Sequence, residues 1–576
     1  MLTFEDYEYT RPNIENLTAE FTSALAQFEQ AHSFEQQSAV IQQLNSLTSD
    51  YSTQENIMYI RSSIDTNDTF YQQERDYFDE IGPQFQALQS SYYKALIATP
   101  FRSQLEEKWG SQLFHLAENA IRSYSDEVLP LLQQENKLIS EYAKLVASAQ
   151  IDFRGETLTL AQLGPYKESL NRAVRKEAMN ASADFFAANE EQFDRIFDQL
   201  VAVRHKIAVT LGFKNFTELG YVRMNRIGYD AEMVENFRRQ IRTSVVPLTE
   251  KIRAMQSRRI GVAQMKFYDE PLHYPEGNPK PKGSPEWILE NGQKMYQELS
   301  RETGRFFDYM KRKNLLDLVA KKGKEAGGYC TFIENYDSPF IFSNFNGTSG
   351  DIDVLTHEAG HAFQVYSSRS IGIPEYIWPT SEAAEIHSMS MEFFTWHWMD
   401  LFFGSDADRY RYAHLLGGVL FLPYGTAVDE FQQRIYDQPE LTPAERKAVW
   451  KELETTYLPL RDYDGHPYLE QGGFWQRQGH IYEVPFYYID YALAQICAFQ
   501  FWQRSLEDFE GAWKDYLELC ALGGSKSFLE LIKTAHLKSP FEEGTVESIT
   551  DFIHDWMIDN KIFCLHLIKK GCARSS

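Results

Sequence analysis

Apolar positions recur at helical spacing along most of this chain. The clearest case is Phe193, Ile196, Phe197, Leu200, Val203, Ile207 and Leu211, one continuous stripe that closes at Gly212, where a helix end calls for a residue tolerant of positive φ. From residue 13 to about 257 such segments follow one another with few prolines, which predicts helices stacked through their apolar faces. No stretch repeats at a fixed period, so a solenoid is not expected. The first break is residues 269–287, DEPLHYPEGNPKPKGSPEW, whose prolines and glycines forbid a continuous helix. Within it Ser284-Pro285-Glu286 has the form of a new helix start, serine as N-cap and proline at the first helical position.

Between 327 and 350 the period changes. GYCTFI and PFIFSNF are short aromatic or β-branched runs bounded by Gly, Asn, Asp and Pro, and they read as two strands of a small sheet, the one convincing β signal in the chain. Asn346-Gly347-Thr348-Ser349-Gly350 follows as a joint, with Ser349 or Asp351 placed to cap the next helix. Helical patterns resume from 381, interrupted by a loop at 462–479. The chain is expected to be mainly α.

Length and charge narrow the function. The 576 residues are 43% hydrophobic, enough for a large core, and a net charge of -25 with no basic cluster repels phosphate backbones and anionic membranes. Neither nucleic acid nor membrane is an expected partner. Cys330, Cys497, Cys520, Cys564 and Cys572 form no C-x-x-C pair, and a set this sparse suits reduced thiols. The opening MLTFEDYEYTRPN has no cationic or apolar signal region, and no run of about 18 apolar residues occurs, so a cytoplasmic location is expected. The ending KKGCARSS puts Cys572 one position off a prenylation box and reads as loose chain.

The candidate chemistry lies just after the strands, in THEAGHAFQVYSS, residues 356–368. Four residues apart on a helix, His357 and His361 project from one face and can address a single ion, with Glu358 beside it. A catalytic zinc takes three protein ligands and leaves a position for water, whose pKa it lowers to about 7. The H-E-x-x-H pattern alone arises by chance in roughly a few per cent of chains with this content of His and Glu, so context decides. The flanks Ile352, Val354, Leu355, Ala359, Ala362, Phe363 and Val365 make the helix buried, and packing alone does not require two histidines and a glutamate inside it. The metzincin extension is absent, because Gln364 and Ser367 stand where it needs glycine and histidine. A second helix is expected from Thr380, carrying Glu382, Glu385 and Glu392 on one face; by spacing, either Glu382 or Glu385 can complete a ligand set. Asp353, one turn before His357, is either a carboxylate supporting a ligand or an acid complementing the helix dipole.

His357-Glu358-Ala359-Gly360-His361, followed by Glu385-Ile386-His387-Ser388-Met389-Ser390-Met391-Glu392, resembles the H-E-x-G-H and E-x-x-S-x-x-x-E pair of the thimet oligopeptidase and oligoendopeptidase F family of zinc metallopeptidases. The resemblance implies that one zinc is held by His357, His361 and Glu385, that Glu358 is the catalytic base, and that Glu392 orients a ligating histidine. GHIYEVPFYYIDYALAQ, residues 479–495, resembles the family's substrate-binding segment, which implies facing roles for His480, Tyr488 and Tyr491, with Tyr487 a rival for Tyr488. Looser similarity runs from Leu160 onward. The resemblance further implies a large helical ellipsoid with a deep substrate channel and a small sheet beside the zinc, a neurolysin-like zincin fold. Its expected divisions are an N-terminal helical region at 1–165, a catalytic region at 166–565 and a tail at 566–576. The implied activity is endopeptidase hydrolysis of short peptides, with Gly328, Tyr329 and Cys330 on the strand edge taking the peptide main chain. Two alternatives stand beside it: a peptidyl-dipeptidase or carboxypeptidase on a related fold, and a peptide-binding scaffold without turnover.

Overall fold

The computed structural model describes residues 2–560. Cys564, Cys572 and the expected tail at 566–576 lie outside them. Three helices, Ile14–Gln30, Phe34–Ile64 and Thr69–Ala98, pack side by side, each begun by a side chain (Asn13, Ser33, Asp68) that accepts a first-turn N–H. Phe21, Ile41, Phe78, Phe85 and Leu96 give them a core of their own, into which Ile373 and Tyr376 dock from far along the chain. A larger core joins most of the remaining elements. The predicted stripe is the buried face of the helix Glu190–Thr210, and Gly212 lies just past it at φ 86°. Ser284 caps Pro285–Leu299 as expected, accepting from the backbone N–H of Trp287.

Five strands occur among the described residues, three more than the pattern predicted. β1 (Ile151–Phe153) and β2 (Glu156–Leu158) form a hairpin across Arg154 and Gly155, both at positive φ. That geometry belongs to a two-residue turn matched to strand twist. β3 (Leu316–Val319) runs parallel to β5 (Ser338–Phe345), and β4 (Tyr329–Ile333) pairs antiparallel on the other side of β5. β4 and β5 are the two expected strands, and β4 is left as a sheet edge.

The sheet delivers the chain into the helix Gly350–Ser368. The side chain of Ser349 caps nothing, and Asp351 instead accepts the N–H groups of Asn346 and Gly347 at 2.9 Å each, so the acid ties down the joint rather than the helix. The next helix, Ser381–Phe394, is buried on nearly every side and packs against both Gly350–Ser368 and Tyr488–Glu507. Its small residues, Ala383, Ala384, Ser388 and Ser390, suit that central position. At the crossing a Cβ on Gly360 would lie 2.6 Å from the Cα of Ser388, so only glycine lets the two helices come this close.

Cavities of about 510, 660 and 610 Å³ share lining residues in sequence: His480 and Tyr491 belong to the first two, Trp378, Pro379, Glu483 and Val484 to the last two. Together they make a deep channel past the H-E-x-x-H helix, so the expected mainly helical body with a channel and a small sheet is the fold observed. Among the described residues no helix is long and apolar enough to cross a membrane.

Candidate metal centre

His357 and His361 project from one face of Gly350–Ser368, and Glu385 meets them from Ser381–Phe394. Glu385 Oε2 lies 3.2 Å from His357 Nε2 and 3.3 Å from His361 Nε2. A tetrahedron with metal bonds of about 2.0–2.1 Å has edges of about 3.3–3.4 Å, so both separations from Glu385 fit ligands of a shared ion. They are also the one group of three or more His, Cys, Asp or Glu side chains among the described residues with metal-binding geometry. Glu382, equal to Glu385 by spacing, is turned away and accepts the hydroxyl of Tyr229 at 3.0 Å. His387 is buried off the centre against Tyr516.

A second layer fixes the ligands. His357 Nδ1 lies 2.7 Å from Glu392 Oε1, which keeps a proton on Nδ1 and leaves Nε2 as the nitrogen facing the ligand position. The other oxygen of Glu392 is 2.6 Å from His414 Nε2, and Tyr410, one turn before His414, donates to Asp353 at 2.6 Å. Glu385 accepts from Ser388 Oγ at 2.8 Å and from the Tyr487 hydroxyl at 2.5 Å. Burial alone would raise the Glu385 carboxyl, yet the two imidazoles hold it well below the usual carboxylate range. Burial likewise opposes charge on His357, and Glu385 and Glu392 overcome it. The field at this point favours positive charge, and a divalent cation satisfies the same carboxylates.

The 660 Å³ cavity is lined by these three donors together with Glu358, Gly328, Tyr329, Cys330, His480, Tyr487 and Tyr491. Glu358 is buried, its carboxyl raised first by that burial, and its Oε2 has no hydrogen-bond partner among the described residues. Gly328 brings the sheet edge over it, since a Cβ there would sit 3.4 Å from Glu358 Oε1. The Tyr329 hydroxyl turns away to Ser63 at 2.6 Å, and burial holds the Cys330 thiol well above its ordinary pKa, so neither side chain is a nucleophile. On the opposite wall His480 Nε2 lies 3.1 Å from the Tyr491 hydroxyl, and burial pushes His480 down to about 4, leaving it neutral. Tyr488 lines the adjoining 510 Å³ cavity and packs edge-on to His480 and Tyr491. The hydroxyl that reaches the ligand set is that of Tyr487.

The structure brings His357, His361 and Glu385 together and puts His480 and Tyr491 on the cavity wall; His414 and Tyr410 were not singled out from the sequence. Their spacing, a histidine and a tyrosine four apart on the largely apolar helix Ala407–Asp437, was the available signal.

Two imidazoles and a carboxylate around one point, with a buried, unpartnered glutamate facing the same cavity inside a helical channel, define a metallopeptidase. Residues 4–124 match the model of the peptidase M3 N-terminal domain and residues 302–551 that of peptidase family M3. The chain is 59% identical to Pz peptidase A, solved with an inhibitor, at a TM-score of 0.96 over 96% of this chain and 99% of that one. A protein from Bacillus anthracis strain Ames, provisionally named oligoendopeptidase F, is 54% identical at a TM-score of 0.92, over 98% of this chain and 100% of that one. An oligoendopeptidase F homolog from Borreliella burgdorferi is 24% identical over 432 residues, 69% of each protein. The chain belongs to peptidase family M3, among its oligoendopeptidase F-like members.

Proposed function

We propose that this peptidase is a zinc-dependent oligoendopeptidase that cuts internal bonds of short peptides. The observation that supports the reading is that Glu385 Oε2 lies 3.2 Å from His357 Nε2 and 3.3 Å from His361 Nε2, as the ligands of one ion would. Two imidazoles, one carboxylate and an open side toward a cavity suit zinc. When bound, zinc supplies Lewis acidity toward the scissile carbonyl and lowers the pKa of the attacking water.

The remaining work falls to this chain's own side chains. Glu358 takes a proton from the attacking water and passes it to the leaving amine, which its raised carboxyl and free oxygen suit it to do. Tyr491, bonded to His480, donates from the opposite wall to the oxygen on which charge develops. Gly328, Tyr329 and Cys330 offer the main chain of the β4 edge to the peptide, a recognition indifferent to side chains. Glu358→Gln is the test: turnover falls at least about a thousandfold with zinc retained. Near-normal turnover would end the assignment of Glu358.

One observation favours a second reading. Arg477 lines the same cavity, is exposed, and forms no ion pair among the described residues, as a subsite for a free C-terminal carboxylate requires. Internally quenched peptides blocked at both ends separate the two. Efficient cutting is expected; a strict demand for a free C-terminus would make the enzyme a peptidyl-dipeptidase or carboxypeptidase.

A further inference from the structure

We propose that Gln478 is a positioning residue, whose side-chain amide fixes the proton of His480 on Nε2 and so leaves the hydroxyl hydrogen of Tyr491 free to point into the cleft. The proposal rests on reading that cleft as a peptidase site.

Gln478 is half-buried and immediately precedes the short helix Gly479–Glu483. Its amide nitrogen lies 2.9 Å from His480 Nδ1, and its carbonyl oxygen accepts the Tyr424 hydroxyl at 3.0 Å. An amide nitrogen has only hydrogens to offer, so Nδ1 is the bare, accepting nitrogen of the imidazole. A neutral imidazole with Nδ1 bare carries its one proton on Nε2, which lies 3.1 Å from the Tyr491 hydroxyl. Nε2–H therefore donates and the phenol oxygen accepts. The phenol hydrogen is then not taken up by His480, on a side chain that lines the cavity of the metal donors.

The opposite amide orientation reverses each step. Nδ1 would carry the proton, bare Nε2 would take the phenol hydrogen, and Tyr491 would present lone pairs to a developing anion. One amide thus separates a wall that stabilises negative charge from one that repels it. Tyr424 holds it in place: packed edge-on among Trp450, Phe474 and Tyr488, it donates its hydroxyl to the amide oxygen.

The test uses the full-length, zinc-loaded chain with nitrogen-15 histidine, the His480 signals being those lost in His480→Gln. Wild type is expected to show Nδ1 unprotonated and Nε2 protonated. Gln478→Met keeps the length of the side chain without a donor; it should release the tautomer to a mixture and lower kcat about tenfold to a hundredfold, short of outright loss of an oxyanion donor. KM and zinc content should stay within about threefold of wild type. A merely structural role would leave the tautomer unmoved. A proton on Nδ1 in a wild-type chain that does cut peptide overturns the role of Gln478, as does unchanged kcat in Gln478→Met. A wild-type chain that cuts no peptide overturns the peptidase reading on which the role depends.

Discussion

Glu392 shows what a single residue contributes from behind the candidate ligands. Each of its oxygens meets a histidine, His357 at 2.7 Å and His414 at 2.6 Å, and burial, which would raise its carboxyl, is outweighed by both. Remove it and His357 loses the partner that selects its tautomer. Glu392→Ala should weaken zinc binding about 10- to 100-fold, read by competition with a chromophoric chelator, while the fold survives. Zinc affinity equal to wild type would show that the ring is oriented by packing alone. At this scale the sequence was most legible where spacing is local: His357, Glu358 and His361 lie within one turn. The partner of Glu392 was not legible. His414 is 22 residues downstream on another helix, and nothing in the chain between them encodes that the two helices cross.

Elements were legible where their period is long and their ends are marked. The stripe closing at Gly212 and the start at Ser284-Pro285 both stand where the pattern put them. β1, β2 and β3 were missed because three or four residues are too few to display alternation, and Arg154-Gly155 lacks the Asn or Asp that marks a two-residue hairpin turn. The choice of Glu385 over Glu382 is an element-scale fact as well: it depends on how the helix Ser381–Phe394 is rotated against Gly350–Ser368, which Gly360 permits by its lack of a Cβ. The proline-rich connection at 269–287 carries a pH-sensitive group. Burial, reinforced by Arg259 and Arg253, pushes His273 down to about 3. An ordinary histidine titrates near 6.5, so the unfolded chain takes up this proton first as pH falls. The stability His273 contributes is therefore complete above about pH 6.5 and is lost as pH falls through that value toward 3. Thermal midpoints of wild type and His273→Gln should converge between pH 7 and pH 4. A constant or widening gap would show that His273 is not held neutral.

At the scale of the whole molecule the parts converge on one cavity. The strand edge, the two crossing helices and the His480 wall come from stretches up to about 160 residues apart in sequence, yet they line a single cavity of about 660 Å³ in a channel between helices. Local pattern supplied these stretches, and family resemblance supplied the expectation that they face one another; periodicity could not, because it carries no information on how helices are placed. Zinc held by His357, His361 and Glu385 is proposed to make the channel a cutting site. The decisive measurement titrates metal-stripped protein with zinc while following cleavage of an end-blocked quenched peptide. Activity should rise in proportion to added zinc and stop at one equivalent per chain; full cutting by the stripped protein, or no return of activity with zinc, would refute that role for the metal.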